Sequence, residues 1–236
     1  MIARHPAFPQ PHPLGHVLEA LDVTVFFGNR RSKIEELETL FPDYRFAQLN
    51  QSHSDIVQHA RDTLHREGDA HITREPKLAL CIKTADCIPV MIHDSESGWA
   101  AAIHAGWRGI ENEIIVKTCA ILRGMGPSLK KARAWIGPHI RVESFEVGRD
   151  VAERLAHRFE AVRGFSRLES VLQPPPDPSK AYVNLSEIAR AQLASMGIGP
   201  ERVIELAIDT ARSEDHCSYR REKETAGRQI SFIAIK

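Results

Sequence analysis

The chain has 236 residues, 42% of them hydrophobic, with 31 basic and 31 acidic side chains and a formal net charge of zero. That length can bury a core without disulfides or a structural metal, and the even charge, with no block of one sign, argues against a dedicated nucleic-acid binder or a membrane-surface protein. The four cysteines, Cys81, Cys87, Cys119 and Cys217, form no CxxC pair, and no secretory core or long apolar run is present, so one cytoplasmic domain is expected.

Residues 1–16, MIARHPAFPQPHPLGH, hold four prolines and three histidines without periodicity, which predicts an extended or mobile arm ahead of a domain at 17–236. DVTVFF at 22–27 is β-branched and aromatic, hence a strand. It runs through Gly28, Asn29 and Arg30 into a helix, with Ser32 and Glu35 as a capping box and Pro42 as its stop. Short strands are expected at 45–50 and 55–59, flanking the loop that carries His53.

Near-continuous apolar runs at 78–82 and 88–92, and a third at 99–103, read as buried strands with polar residues at their ends. Asp86, Cys87 and His104 occupy such ends. A helix is expected at 110–123, its first free N–H groups just beyond the Trp107 turn, where an anion is favoured. A strand at 132–136 and a helix at 148–160 follow. QPPPDPSK at 173–180 is a surface connection. Asn184 and Glu187 cap another helix, followed by strands at 203–208 and 230–235. Strands and helices alternate irregularly, which points to an α+β (mixed α/β) single domain with mixed sheets flanked by helices.

Three segments carry the chemistry: NQSHSD at 50–55, TADCIPV at 84–90 and AIHAGWRG at 102–109. They supply His53, Cys87 and His104. Imidazoles and a thiolate are preferred zinc ligands, and three protein ligands leave the open position of a catalytic site. The ligands lie 34 and 17 positions apart and match no short zinc motif, so taken singly each has a plainer reading: a loop histidine, a small buried hydrophobe and a core histidine. Asp86, beside the thiolate, either orients a ligand histidine or caps a turn.

QSHSD, GDAHIT at 68–73, TADCIPV, HAGWRG, IGPHIRVESFEVG at 136–148, and SYRR with GR at 218–221 and 227–228 occur in this order. Together they resemble the YfiH family, also called the laccase-domain or polyphenol oxidase-like family, from about residue 22 to the end. The resemblance implies a metal site on His53, Cys87 and His104, zinc being the expected ion and copper the alternative. It also implies a purine nucleoside phosphorylase and adenosine deaminase acting on adenosine, inosine, guanosine or methylthioadenosine. Purine nucleosides and phosphate are then the expected partners, with no nucleic acid or membrane, and a monomer is expected.

Cys87, His104 and Asp86 are then the candidate catalytic residues. Base and ribose recognition needs aromatic faces, for which Trp107 and Tyr219 are nearest. Phosphate asks for guanidinium groups. Arg30, Arg108, Arg220, Arg221 and Arg228 sit at motif positions; Arg30 and Arg221 are the first choices, with Arg108 also assigned to substrate. The chain departs from many members at His139 and Asp209, where they have cysteine, and in a shorter loop after Arg30. Three other functions compete: a Cys87/His104 hydrolase removing misincorporated serine from peptidoglycan precursors, a copper-dependent polyphenol oxidase, and a non-enzymatic metal domain with His139 as fourth ligand.

Overall fold

The computed structural model describes residues 8–20, 22–62, 65–126, 129–162, 168–174 and 177–236. Two six-stranded sheets lie face to face. The first runs, in spatial order, β1 (Gln10–His12), β2 (Gly15–Glu19), β3 (Val23–Gly28), β17 (Gln229–Ile235), β9 (Leu78–Thr84) and β4 (Arg45–Ala47), antiparallel except for β4 with β9. The second runs β16 (Val203–Glu205), β12 (Arg133–Ile136), β10 (Ile88–Asp94), β11 (Trp99–Ala105), β8 (Ala70–Thr73) and β6 (Val57–His59), with parallel pairs only at its two edges. Smaller sheets join β13 (Glu146–Gly148), β15 (Lys180–Val183) and β14 (Leu172–Gln173), and β5 (Leu49–Asn50) with β7 (Arg66–Glu67).

The apolar runs seen in the sequence are continuous because these strands are covered on both faces. Along β10, Ile88, Val90 and Ile92 enter one core, and Met91 enters the other. Along β11, Ala101 and Ile103 face the first core, and Ala100 and Ala102 the second. The inner core, between the sheets, sets those small alanines with Met91 and Trp135 against Val25, Phe27, Leu80, Ile82 and Ile233. Outside the second sheet lie α2 (Trp107–Glu111), α3 (Ile114–Met125), α4 (Arg149–Val162) and α5 (Leu185–Ser195). Outside the first lies α1 (Ile34–Leu40), over Phe26, Phe46 and Phe232; α6 (Tyr219–Glu222) is a single turn. Mixed sheets with flanking helices are the architecture expected from the irregular alternation.

Three local expectations change. The arm proposed for 1–16 is ordered from Gln10 on, because a β1–β2 hairpin turning at Gly15 (φ 148°) continues the first sheet through β3; residues 1–7, with His5, lie outside the described residues. Ser32 does not cap α1. Its hydroxyl is buried between the Asn29 carbonyl and the Ile230 N–H, and the Glu36 carboxylate accepts from the Lys33 N–H instead. The helix expected at 110–123 is two helices, broken where Glu113 takes a left-handed backbone (φ 63°). Asn184 caps α5 as expected, accepting from the Glu187 N–H.

The register sets the site. Antiparallel pairing places Pro89 opposite His104, so the start of β10 and the end of β11 lie at one edge of the second sheet. The residue preceding β8 reaches the same edge, where the Asp69 carbonyl accepts from the His104 N–H at 2.7 Å.

Candidate active site

Cys87 immediately precedes β10, His104 is the penultimate residue of β11, and His53 projects from the loop between β5 and β6. One ligand atom from each lies within 4.8 Å of the others. Cys87 Sγ and His53 Nε2 are 3.8 Å apart, and the His53 and His104 ring centroids are 4.9 Å apart at 66°. A tetrahedral ion with bonds of about 2.0 to 2.3 Å separates its ligands by roughly 3.3 to 3.8 Å, so the trio fits a metal after a small closure. Gly106 follows, where the space beside it is tight: an added Cβ would stand 3.0 Å from Cys87 Sγ and 3.1 Å from His53 Cδ2.

A residue that sequence reasoning missed organises two of the three. Fully buried Asp69 accepts the backbone N–H groups of Ser52, His53 and Ser54 at 3.1, 3.0 and 2.6 Å, and the Ser54 hydroxyl at 2.6 Å. Three successive N–H groups around a carboxylate make an anion nest, and they hold His53 at its left-handed φ of 60°. The same carboxylate accepts from His104 Nδ1 at 2.7 Å, which leaves Nε2 as the nitrogen available to a metal. The GDAHIT motif was the available signal. What sequence alone hides is that its aspartate folds back onto two segments far from it in the chain.

The electrostatics are mutual. Burial raises the Cys87 thiol, but the charge of His104 and hydrogen bonds from His104 and His53 outweigh it and bring the group down to about 6. Burial lowers His104, and the Cys87 thiolate together with the Asp69 hydrogen bond carries it up to about 9. Burial raises Asp69, and hydrogen bonds from His104 and Ser54 hold it at about 2. Without a metal, a thiolate and an imidazolium therefore sit side by side at neutral pH, with the sulfur already in its ligating form.

The trio opens into a cavity of about 1030 Å³ lined also by Trp107, Arg108, Tyr219, Arg220, Arg228 and Lys83. Arg108 lies over the Trp107 ring, 4.5 Å from its centroid. Tyr219 is exposed, its hydroxyl donating to Glu224 at 2.6 Å. Arg220 donates to the Glu146 carbonyl, and Arg228 to the carbonyls of Ala226 and Gly227.

Two arginines chosen for substrate are not on this lining. Arg30 is held by Glu222 and the His216 carbonyl. Arg221 donates to the carbonyls of Thr210, Ala211, Ser213 and His216 and to Glu222. Both tie the chain around α6 together. Their guanidinium groups are occupied because Glu222 and a run of free carbonyls stand next to them. Asp86 does not orient a ligand histidine either. In a left-handed conformation (φ 84°), it accepts from the Thr210 hydroxyl at 2.7 Å and the Arg220 N–H at 2.6 Å; it thus ties two distant segments together rather than capping its own turn, and Asp69 takes the orienting role. His139 is buried apart from the trio, donating from Nδ1 to the Gly137 carbonyl with Nε2 3.8 Å from Glu205.

The family model described as "Multi-copper polyphenol oxidoreductase laccase" matches residues 24–236. The chain is 33% identical over 190 residues to the purine nucleoside phosphorylase of Deinococcus radiodurans, covering 80% of this chain and 70% of that one. It is 29% identical over 150 residues to the adenosine deaminase RL5 of an unknown prokaryotic organism, covering 64% and 52%. The chain thus spans between about half and seven tenths of these relatives. A crystal structure of a Neisseria meningitidis protein superposes with a TM-score of 0.80 at 25% identity, over 92% of this chain and 96% of that one. No helix among the described residues is long and apolar enough to cross a membrane. Matched over nearly all of its length and carrying a possible metal trio at one sheet edge, the chain belongs to the multi-copper polyphenol oxidoreductase laccase family.

Proposed function

We propose that the protein is a zinc-dependent purine nucleoside phosphorylase that also deaminates adenosine, working in the cavity above His53, Cys87 and His104. The carrying observation is that three zinc-type donors converge while one side of the trio opens onto a cavity with aromatic faces and several cations. A bound zinc supplies Lewis acidity at an open coordination position.

The remaining work belongs to the chain. Trp107 and Tyr219 offer faces to a purine, and Arg108, Lys83 and Arg228 supply positive charge for a phosphate dianion. The side chains of Arg108 and Lys83 carry no hydrogen bond or ion pair among the described residues, Arg108 being stacked on Trp107, so these two are the lining cations most available to substrate. In phosphorolysis a phosphate oxygen bonds to ribose C1′ as the C1′–N9 bond breaks, and the base leaves with the electron pair and takes a proton. In deamination water adds at C6 of adenine and ammonia departs. Asp69 keeps His104 in one tautomer throughout.

Pure protein incubated with adenosine, with and without phosphate, is expected to give inosine, and with phosphate also free base and ribose 1-phosphate. Metal-replete protein that leaves adenosine and inosine untouched overturns the proposal. The depressed Cys87 thiol beside His104 supports a second reading, a cysteine hydrolase. Such an enzyme survives chelation and dies with a thiol alkylator, whereas the zinc enzyme loses activity to the chelator and regains it with metal.

A further inference from the structure

A second cavity, of about 360 Å³, lies at the opposite end of the same strands, lined by Leu18, Asp22, His93, Lys130, Arg133 and Trp135 among others. His93 is six residues along β10 from Cys87, roughly 20 Å at strand rise. Its ring is 6% exposed, and neither nitrogen makes a hydrogen bond among the described residues; the nearest acid, Asp22, is 3.6 Å away. Trp135, on the same wall, has a buried indole N–H without a partner. A buried polar group without a partner costs stability unless something satisfies it.

The charge around these groups has one sign in excess. Lys131 is paired with Glu96 at 3.1 Å, and Arg202 spends its guanidinium on Glu201 and the carbonyls of Leu129, Ala132 and Gly197. Lys130 and Arg133 have no carboxylate partner among the described residues, and Asp22 is the one acid on the lining. Leu18, Val23 and Trp135 supply an apolar wall. The volume lies within the roughly 300 to 1,000 Å³ of small-molecule sites.

We propose that this cavity binds a small phosphate-bearing molecule, with Lys130 and Arg133 holding the phosphate and His93 hydrogen-bonded to it. The site is independent of the metal trio, and its occupancy does not depend on what the other cavity catalyses.

The test follows the ring resonances of His93 in the full-length, metal-loaded protein, assigned with His93→Gln. Inorganic phosphate and adenosine 5′-monophosphate are titrated separately. A saturable shift of the His93 signal is expected. In the double variant Lys130→Gln/Arg133→Gln the midpoint should rise about tenfold or more, with nucleoside turnover unchanged. Equal midpoints for the two probes identify the phosphate alone as the ligand feature; a lower midpoint for the nucleotide adds its body on the apolar wall. A His93 signal that neither probe moves, or a midpoint that the double variant leaves unchanged, overturns the proposal.

Discussion

His71 and His104 are buried histidines on adjacent strands of one sheet, each near a cysteine, and their chemistry is opposite. His71, on β8, has burial dominating its environment and falls to about 3; Cys81 behind it is pushed far up by the same burial. His104, on β11, rises to about 9 and Cys87 falls to about 6. Burial acts in the same direction on both pairs. The difference is company: His104 has a carboxylate at 2.7 Å and a thiolate beside it, whereas His71 Nε2 has no partner. Residue type and depth do not make a site; a buried charge that is mutually satisfied does.

The largest test of that contrast removes the two sulfurs in turn. Cys87→Ala takes away one of the three proposed ligands and should cut zinc affinity and nucleoside turnover by more than about 100-fold, since even outer-shell changes cost 10- to 100-fold. Cys81→Ala should leave zinc at the wild-type stoichiometry by elemental analysis and lower stability by about 1 kcal/mol in denaturant melts. Equal effects from both would dissolve the distinction.

Asp69→Asn comes next. The amide keeps the shape but not the charge, and its NH₂ cannot accept the bonds that the carboxylate receives from 52–54 and His104. Zinc affinity should fall about 10- to 100-fold. In metal-free protein the His104 signal should titrate lower than in wild type. Asp69 also gives an acid-side signature. Its folded-state value lies below the unfolded value of 3.8, so its contribution to stability is present above 3.8 and is lost as pH falls toward about 2. Acid melts of the Asn variant should lack that component.

How much of this was legible follows from which interactions are local. The buried strands were readable because cover on both faces leaves an unbroken apolar run, and the Asn184 cap because it spans three residues. The convergence of His53, Cys87 and His104 was expected from the family resemblance, whereas donor chemistry and spacing alone left each with a plainer reading. Asp69 was not, because its five hydrogen bonds reach segments 15 to 35 residues away. Arg30 looks identical in sequence to a free cation until the fold brings Glu222 and the His216 carbonyl to it, and Arg221, already beside Glu222 in the chain, is taken up by the carbonyls of 210–216 only once the chain turns back on itself. Ser32 resembled a cap because serine before a helix usually is one, until packing against β17 took its hydroxyl.

The contrast is also a kinetic one. In metal-free protein, alkylation of Cys87 should accelerate as pH rises through about 6 and then level, because the thiolate is the nucleophile. Cys81, pushed up by burial, should stay unmodified across that range in the folded state. Mass spectrometry of iodoacetamide-treated protein separates the two, and a Cys87 profile that begins only near its ordinary value of 9 would remove the charge pairing from the account.

The smallest effect is expected at Gly106, where the question is how finely the trio is spaced. Its φ of −70° is open to any residue, so the backbone gives no reason for glycine. The reason is the space: the added methyl of Gly106→Ala would meet Cys87 Sγ at 3.0 Å and His53 Cδ2 at 3.1 Å, and a shift of a few tenths of an ångström relieves it. His53 can yield, since its side chain is exposed on a loop, while Cys87 is held by β10. The expected result is a few-fold loss of zinc affinity, with melts near wild type and the Asp69–His104 hydrogen bond intact. A loss as large as that of Asp69→Asn would mean that the spacing between His53 and Cys87, rather than the orientation of His104, is the stricter requirement at this sheet edge.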